Sequence, residues 1–574
     1  MKNRDIAAVF TQMADLMEIL GEDPFRVNSY RKSARTLEEL TESVEELAAT
    51  DRLMEIPGVG KGTAEKIREY LADGRITAHQ ELLAKVPPGL PGLLAVPGLG
   101  PKTLAKLWKQ AGVTTLEELK TALGDPARIQ AVQGMGPKKA RQLLDSLAFL
   151  ESGTRRIRRD QAEALAARLM AALGNEPSAK GVQAAGSLRR GKETIGDIDL
   201  LCQAPPSEAE RIIAGFTTAQ GVLRVLAKGD TKGSVLLEGD IQADLRVVGA
   251  KSFGAALMYF TGSKEHNVRL RELAVKRGLK LNEYGLFRGD QMVAGADEEG
   301  VYKAMGLPFV PPELREDRGE LAAAAGGKLP ALLELSDIRG DLHVHTTASD
   351  GMNTIEEMIA ACRARGYAYL AICDHSKSQV QAHGLDEARL ARHAAQIRRA
   401  AARYDDILVL AGVEVDIFKD GALDFDRSVL EKLDFVTASP HSALGQGAAE
   451  ATARLIAAIE SGCVHCIGHP SGRLINARAG MELDIEAIAA AAARHNVALE
   501  VNADPMRLDL RDTHVRAAIA AGAKIIVNTD AHRIESLELM RYGVSNARRG
   551  WASCADVINT YPREKLLKWL RDRR

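Results

Sequence analysis

Cysteine is scarce in this chain. Six in 574 residues are too few and too scattered for a disulfide framework, so a reduced, intracellular setting is expected. Only Cys463 and Cys466 form a CxxC, within VHCIGHP, and no second CxxC completes a four-thiolate zinc site; the pair reads as ordinary buried cysteines. No apolar run approaches the ~18 residues of a membrane span. The N-terminal stretch MKNRDIAAVFTQMADL carries Asp5 and Asp15 inside its apolar pattern, so it reads as an amphipathic helix and not a secretory signal. A soluble, cytoplasmic protein with no membrane partner is expected. Neither sign of charge is in excess: 76 lysines and arginines face 77 aspartates and glutamates, with 46% apolar and 4% aromatic residues. That balance allows sizeable cores and excludes a globally basic coat for nucleic acid, a disordered chain and an acidic tail. The length corresponds to roughly three to five domains. Histidine is nearly missing from the first part of the chain. Of 13, only His79 and His266 precede residue 340, and the other 11 lie in the last 235 residues.

Residues 1–150 read as helices punctuated by three similar glycine turns, IPGVGKG at 56–62, VPGLGPK at 96–102 and VQGMGPKKA at 132–140. Proline or a polar residue, then Gly, apolar, Gly and the opening of a helix is the helix-hairpin-helix pattern. The glycines permit a tight turn and leave the amides of the next helix facing outward, where a phosphate can bind. Gly58, Gly60, Lys61, Gly98, Gly100, Lys102, Gly134, Gly136, Lys138 and Lys139 are therefore candidate contacts to a DNA backbone, held without reading sequence. One such turn alone could equally be a glycine-terminated helix pair; three copies favour DNA. The first turn belongs to a helical domain at 1–80 and the other two to a helical subdomain at 81–150. From about 151 strands alternate with helices, giving an α+β unit divided at 248 and ending near 318. Residues 319–337 read as a linker, and 338–574 as a regular α/β repeat.

In the α+β unit Asp197 and Asp199 stand as GDIDLL, on one face of a strand, and Asp244 opens an alternating run, IQADLRVV. Three carboxylates from two adjacent strands can hold two divalent metals for a phosphoryl transfer. Upstream lies Gly186-Ser187-Leu188-Arg189-Arg190, a glycine turn with a hydroxyl and two guanidiniums suited to a triphosphate. Here the chain resembles the X-family DNA polymerases, similar to DNA polymerase beta. The resemblance rests on GSLRRG followed by GDIDLL, the first glycine turn with AEKIREYL, the second with GVTTLEEL, then DLRVV, YFTGS and LNEYGLF, and covers 1 to about 318. It implies a nucleotidyltransferase palm at 151–248 and a thumb-like nucleotide- and template-binding subdomain at 249–318. It also implies two Mg or Mn ions on Asp197, Asp199 and Asp244, with Asp244 helping to deprotonate the primer 3′-hydroxyl. Ser187, Arg190 and Gly196 are implied triphosphate contacts, Tyr259, Phe260 and Gly262 flank the sugar and base, and Asn267 and Arg271 line the minor-groove side. Lys66 matches the Schiff-base lysine of the deoxyribose-phosphate lyase, against a structural or phosphate-contacting role. Gln242 departs from the arginine of the vertebrate enzyme, and the third glycine turn has no clear counterpart there.

Late histidines fall at the ends of the short apolar runs DLHVH, AYLAICDH, FVTASPH, VHCIGHP and IIVNTDAH, ILVLAGVEVD carries Glu414 in the same way, and ALEVNADP is a seventh such run. Parallel strands joined by helices and loaded at their C-terminal ends describe an α/β barrel with its site at one mouth. Imidazoles with carboxylates suit zinc, manganese or iron, and nine ligands imply a cluster of two or three ions. The segment resembles the PHP (polymerase and histidinol phosphatase) domain. The resemblance fills all nine ligand positions: His343, His345, Asp350, His375, Glu414, His441, His469, Asp530 and His532. His383, His393, His465, His495 and His514 read as structural or exposed, and Arg473 as a group that could orient a phosphate. An X-family core followed by a PHP barrel resembles the bacterial and archaeal PolX family. That implies a nucleoid-associated enzyme of base-excision repair acting on gapped or nicked DNA and deoxynucleoside triphosphates; nothing in the sequence demands an oligomer, so a monomer is expected. It would fill short gaps and supply a 3′-5′ exonuclease, with AP-endonuclease or 3′-phosphatase activity in some members. The expected architecture is multidomain: a helical helix-hairpin-helix region, an α+β palm and thumb, and a PHP barrel of seven strands. The competing functions are a DNA-end-binding scaffold with a structural barrel and a small-molecule phosphoesterase.

Overall fold

The computed structural model describes residues 2–144 other than 41, 42, 57, 97, 98, 138 and 142, and residues 156–572 other than 175. Gly98 and Lys138, two of the expected DNA contacts, lie outside the described residues. The chain forms two compact units, Met1–Arg155 with Arg271–Gly278, and Arg156–Leu270 with Leu279–Arg574.

The first unit is helical and carries a threefold structural repeat. Leu53, Ile56, Val59, Ala64 and Ile67 are buried, and so, at identical spacing, are Leu93, Val96, Leu99, Leu104, Leu107 and Ile129, Val132, Met135, Ala140, Leu143. In each copy the same two backbone bonds recur: Val59 to Ile56, Leu99 to Val96 and Met135 to Val132, then Ala64 to Gly60, Leu104 to Gly100 and Ala140 to Gly136. Apolar residues three apart fix a tight turn against the core, and the glycine that follows starts a helix.

In the second unit the palm contains β1 (Ile157–Arg158), β2 (Lys180–Ala184), β3 (Thr194–Ile195), β4 (Asp197–Gln203), β5 (Val222–Lys228), β6 (Lys232–Leu237) and β7 (Ile241–Val248). β1 and β3 pair with each other, and the other five form one sheet in the order β2-β4-β7-β6-β5. β7 alternates buried and half-buried residues along its whole length, as a sheet with one covered face requires. The thumb adds β8 (Lys280–Asn282), β9 (Gly285–Arg288) and β10 (Gln291–Ala294) as a small antiparallel sheet, with helices Phe253–Thr261 and Glu298–Ala304.

The C-terminal part is a parallel barrel of seven strands in sequence order: β11 (Gly340–Val344), β12 (Tyr369–Ile372), β13 (Leu408–Asp416), β14 (Phe435–Ser439), β15 (Cys466–Ile467), β16 (Ala498–Asn502) and β17 (Lys524–Asn528). It is nearly closed by a bridge between Val344 and Ala531. Leu342, Tyr369, Leu410, Phe435, Cys466, Ala498 and Ile526, one from each strand, form a single buried cluster with Leu566, Trp569 and Leu570 of the last helix, Arg563–Arg571. That layer fills the barrel and leaves the C-terminal strand ends for polar side chains. Cys466 belongs to it, and Cys463 to the outer core, so both are buried as expected.

Residues 319–337, expected as a linker, are held fast by their neighbours. Glu320 meets His266 Nδ1 at 2.6 Å, the Leu333 carbonyl accepts from Arg548 at 2.8 Å, and the Leu333 side chain is buried. No helix among the described residues is long and apolar enough to cross a membrane.

Candidate catalytic sites

In the palm, β4 and β7 run parallel in a register that places Asp199 beside Asp244 and Asp197 beside Gln242. Gly186 lies against this pair with φ of 57°, and a Cβ there would stand 2.2 Å from an Asp199 oxygen, so only glycine lets the turn approach the carboxylate. The Ser187 hydroxyl is buried in that turn without a hydrogen-bond partner. Burial, reinforced by the charges of Asp197 and Asp244, pushes the Asp199 carboxyl up to about 7. Burial also opposes ionisation of Asp244. Lys232, whose Nζ lies 2.9 Å from Oδ2, together with Gln242 and Ser234, outweighs it and holds that carboxyl low. Three carboxylates crowded closely enough to raise one of them, beside an unpartnered hydroxyl, suit divalent cations that relieve the repulsion and an anionic ligand. Lys232, which the sequence did not single out, supplies a cation next to Asp244 from β6, and Gln242 donates to Asp244 Oδ1 at 2.8 Å.

The two arginines of the turn differ. Arg189 is locked on Glu298 by bonds of 2.8 and 2.6 Å and on the Thr261 hydroxyl, tying palm to thumb. Arg190 donates through Nε to Glu316 at 3.0 Å and to the Thr261 carbonyl at 2.5 Å. Gly196 adjoins the Arg156 guanidinium, 3.0 Å from where its Cβ would be. Tyr259 and Phe260 are half-buried with rings edge to face at 5.1 Å; Arg246 stacks on Phe260, and Asn267 donates to the Tyr259 carbonyl. Gly262 is buried with φ of 70°, and Arg271 follows Asn267 by one turn on helix Lys264–Lys276.

At the glycine turns, Gly60 and Gly100 are extended N-caps of helices Lys61–Asp73 and Pro101–Ala111, and no side chain caps either helix. Their first N–H groups, from Lys61 in one helix and, since Pro101 has none, from Lys102 in the other, meet no capping side chain among the described residues and can take an anion. Gly58 and Gly134 adopt φ of 85° and 79°, which explains the glycine there. Lys61 is exposed, as is Lys102, and Gly136 opens the third helix. Lys139 donates to Thr103 and Lys106 to the Gln133 carbonyl, joining the second and third turns. Lys66 is half-buried, and its ammonium donates to the Gly62 carbonyl at 3.2 Å.

In the barrel all nine expected ligands gather at the C-terminal strand ends. Their atoms form three overlapping groups: His345, Asp350, His375 and His532; His343, His345 and Asp530; and His375, Glu414 and His441. His469 adjoins them, with Nε2 3.0 Å from Glu414. Buried ring nitrogens without a hydrogen bond among the described residues converge here, His343 Nε2, His345 Nδ1 and His469 Nδ1, beside close imidazole–carboxylate contacts of His375 Nδ1 with Glu414 Oε2 at 2.8 Å and of His345 Nε2 with Asp530 Oδ1 at 3.0 Å. Buried donors left unpaired cost about 1–3 kcal/mol each, so a set of them fits a site completed by cations. Electrostatics agree: burial opposes charge on the imidazoles, yet Glu414 and Asp350 push His375 up to about 10. Glu414 and Asp416 likewise push His441, and Asp350 and Asp530 push His532, up to about 9. Protons there compensate the carboxylates in the place of metal charge. His469 and Asp530 hold left-handed backbone, φ of 25° and 55°, strain of the kind found at functional sites.

Several groups that orient the ligands were not singled out from sequence. Glu500, fully buried, bonds His343 Nδ1 at 2.9 Å and accepts from the His469 amide; Asp416 bonds His441 Nδ1 at 2.6 Å. Asn502 donates to Asp530 Oδ2 at 3.0 Å. Asp374 ties the loop before Asp350 by accepting from Thr346, Ser349 and His393. A carboxylate inside the apolar run ALEVN, and another two residues after Glu414, were the available signals. Among the remaining histidines, His393 and His465 are buried, His514 is half-buried, and His383 and His495 are exposed. Arg473 turns to Glu193 of the palm at 2.7 Å.

Comparison with known proteins follows the same division. Residues 1–76 match the helix-hairpin-helix domain, 91–148 the SAM-like helix-hairpin-helix tandem, 256–316 the DNA polymerase beta thumb and 341–504 the PHP domain. Over 564 residues, 97% of each chain, the sequence is 38% identical to the DNA polymerase/3′-5′ exonuclease PolX of Bacillus subtilis (strain 168). It is 30% identical over 322 residues to DNA polymerase lambda of Rattus norvegicus, covering 51% of this chain and 53% of that one. It is 29% identical over 239 residues to a probable phosphatase of Shewanella sp. (strain MR-4), covering 40% of this chain and 86% of the other.

Proposed function

Since the chain belongs to the PolX family, we propose that it is a DNA-repair enzyme with two active sites, template-directed gap filling in the palm and 3′-5′ exonuclease in the barrel. The observation that carries this reading is the presence of two separate carboxylate centres in one chain, one on β4 and β7 and one at the barrel mouth. In the palm, Asp197, Asp199 and Asp244 would hold two Mg²⁺ or Mn²⁺ ions, which when bound neutralise charge on the attacking and leaving oxygens. Asp244 helps take the proton of the primer 3′-hydroxyl. Ser187, Arg190 and Gly196 bind the triphosphate, Tyr259, Phe260 and Gly262 flank the sugar and base, and Asn267 and Arg271 line the minor-groove side. The unpartnered Ser187 hydroxyl supports the first of these roles.

The nine barrel ligands would hold two or three zinc, manganese or iron ions, whose Lewis acidity polarises a phosphodiester and lowers the pKa of water. The protein's own part is orientation: Glu500 and Asp416 fix the rings of His343 and His441. Gly58, Gly60, Lys61, Gly98, Gly100, Lys102, Gly134, Gly136, Lys138 and Lys139 grip the backbone of gapped or nicked DNA, with deoxynucleoside triphosphates as the second substrate. The likeness to a probable phosphatase supports 3′-phosphatase activity of the barrel. Lys66 is proposed as the lyase nucleophile; borohydride should trap it on a 5′-deoxyribose-phosphate end, and absence of an adduct refutes that role.

The division into two sites is tested on a gapped, 3′-labelled duplex with Mg²⁺ or Mn²⁺. Asp199→Ala should abolish extension and spare degradation, and His343→Ala should do the reverse. Joint loss in either variant would overturn the proposal.

A further inference from the structure

The turn that carries Ser187, Arg190 and Gly196 is gripped from the barrel at successive points. Arg549 ends helix Met540–Arg549 and is 2% exposed. Its Nη1 donates to the Arg190 carbonyl at 2.6 Å and to Glu316 Oε1 at 3.1 Å, and its Nη2 donates to Asp512 at 2.8 Å. Glu316 Oε1 is the same oxygen that accepts from Arg190 Nε, so one carboxylate joins the barrel arginine to the palm arginine. Beyond Arg190, Gly191 has φ of 68° and lies against Ser545 of the same barrel helix, whose Oγ would be 2.6 Å from a Cβ. Two residues later Glu193 accepts from Arg473. Barrel residue Asn476 holds the Arg156 carbonyl at 2.7 Å, and the Arg156 guanidinium donates to the Thr194 hydroxyl and carbonyl and flanks Gly196.

These contacts do more than glue two domains. A guanidinium buried as deeply as that of Arg549 is tolerated only where its donors are paired. Here the pairing is spent on the backbone and the counter-ion of one nucleotide-site residue. Glu316 faces Arg190, Arg549 and Lys192, and the bond to the Arg190 carbonyl fixes the peptide behind the side chain. Planar forks set direction as well as charge, so this geometry defines where the Arg190 guanidinium points.

We propose that the barrel is part of the nucleotide-binding apparatus of the palm: Arg549, acting through Glu316 and the Arg190 carbonyl, is a positioning residue for triphosphate binding, and Arg473 supports the same loop through Glu193. The proposal rests on the reading of Ser187 and Arg190 as triphosphate contacts. It makes the polymerase site incomplete without the nuclease domain, although no barrel side chain has to touch the nucleotide.

The test uses the full-length enzyme with gapped DNA, Mg²⁺ and one deoxynucleoside triphosphate. Arg549→Ala should raise KM for the nucleotide about tenfold or more, with a smaller fall in kcat and with 3′-5′ degradation of a single-stranded end unchanged within about twofold. Arg549→Lys should recover part of the loss, because one ammonium replaces one of the two directed arms. Glu316→Gln should raise KM in the same sense, and Arg473→Gln by less. In a DNA-free melting assay, the stabilisation by the Mg²⁺ nucleotide should shrink in the order of the KM effects. If Arg549→Ala fails to fold, Arg549→Lys and Glu316→Gln carry the test. Unchanged KM in these two, or equal losses of extension and degradation, overturns the proposal. Arg190→Ala separates the two levels: an unchanged KM there refutes the reading of the turn itself, whereas a raised KM with normal Arg549 and Glu316 variants refutes only the role of the barrel.

Discussion

The palm and the barrel gather carboxylates in opposite ways. In the palm three aspartates stand on two neighbouring strands of a sheet; Asp197 is exposed and the site has no imidazole among its candidate ligands. In the barrel Glu414 and four of the histidines, His343, His345, His375 and His469, are buried beneath the mouth, and further carboxylates hold the rings. An open, oxygen-only site suits hard ions that arrive with the nucleotide and keep part of their water, and a closed nitrogen-and-oxygen cage suits resident transition ions. On the proposed reading, one chain would separate a metal that comes with the substrate from a metal that belongs to the fold.

The largest effect that would break this comparison is a metal-exchange experiment. Stripping the enzyme with a strong chelator and returning only Mg²⁺ should restore extension at once while degradation stays down by about 10³-fold or more, until Mn²⁺ or Zn²⁺ is added. Recovery of both activities with Mg²⁺ alone would erase the distinction. A smaller effect tests the ring-orienting shell: Glu500→Gln should weaken metal retention by the barrel about 10–100-fold, read by metal analysis after dialysis, with extension unaffected. Retention equal to the parent would remove Glu500 from the site.

Proton release sharpens the electrostatic side. In the metal-free protein His375, pushed to about 10, and His441 and His532, pushed to about 9, are charged at pH 7.5, whereas ligation requires neutral rings. Loading the barrel in weak buffer should therefore release more than one proton per chain, and little release would contradict the positive charge of these three rings.

The smallest effect belongs to the palm. Asp199 titrates at about 7 in the fold and at about 3.9 unfolded, so the native state binds more protons between those values. Stability from this group is highest below about pH 4, falls as pH rises through 4 to 7, and stays lowered above 7. Asp199→Asn should raise the first melting transition of metal-free protein by a few degrees more at pH 8 than at pH 5, and Mg²⁺ should narrow that gap. A pH-independent difference would argue against burial as the cause.

Much of this was legible along the chain. The seven apolar runs, five of them with histidine at their ends, state the barrel and its mouth together, because parallel strands bring their C-terminal ends to one side. The pattern of three glycine turns is legible too, since each repeat is built from contacts a few residues apart. Glu500 was not legible as a partner of His343: a carboxylate within ALEVN reads as an interruption of a strand until the barrel closes and β16 turns it inward. Lys232 was hidden for a similar reason, lying on β6, whose antiparallel register with β7 brings it to Asp244. Arg190 shows the limit most clearly, since its neighbours Glu316 and Arg549 stand 126 and 359 residues away.

The sequence by itself determined which residue types exist in which local pattern: the DxD strand, the glycine turns, the histidines at strand ends and the absence of any long apolar run. Those are properties of spacing, and backbone periodicity alone converts spacing into faces and ends. Tertiary structure decided which charges meet, that Arg189 belongs to Glu298, that Arg473 serves the palm and that Arg549 stands behind Arg190. The physical reason is that ion pairing acts over a few ångströms of space and carries no signature in chain separation, so only the fold, by excluding water and bringing distant segments together, selects the partners.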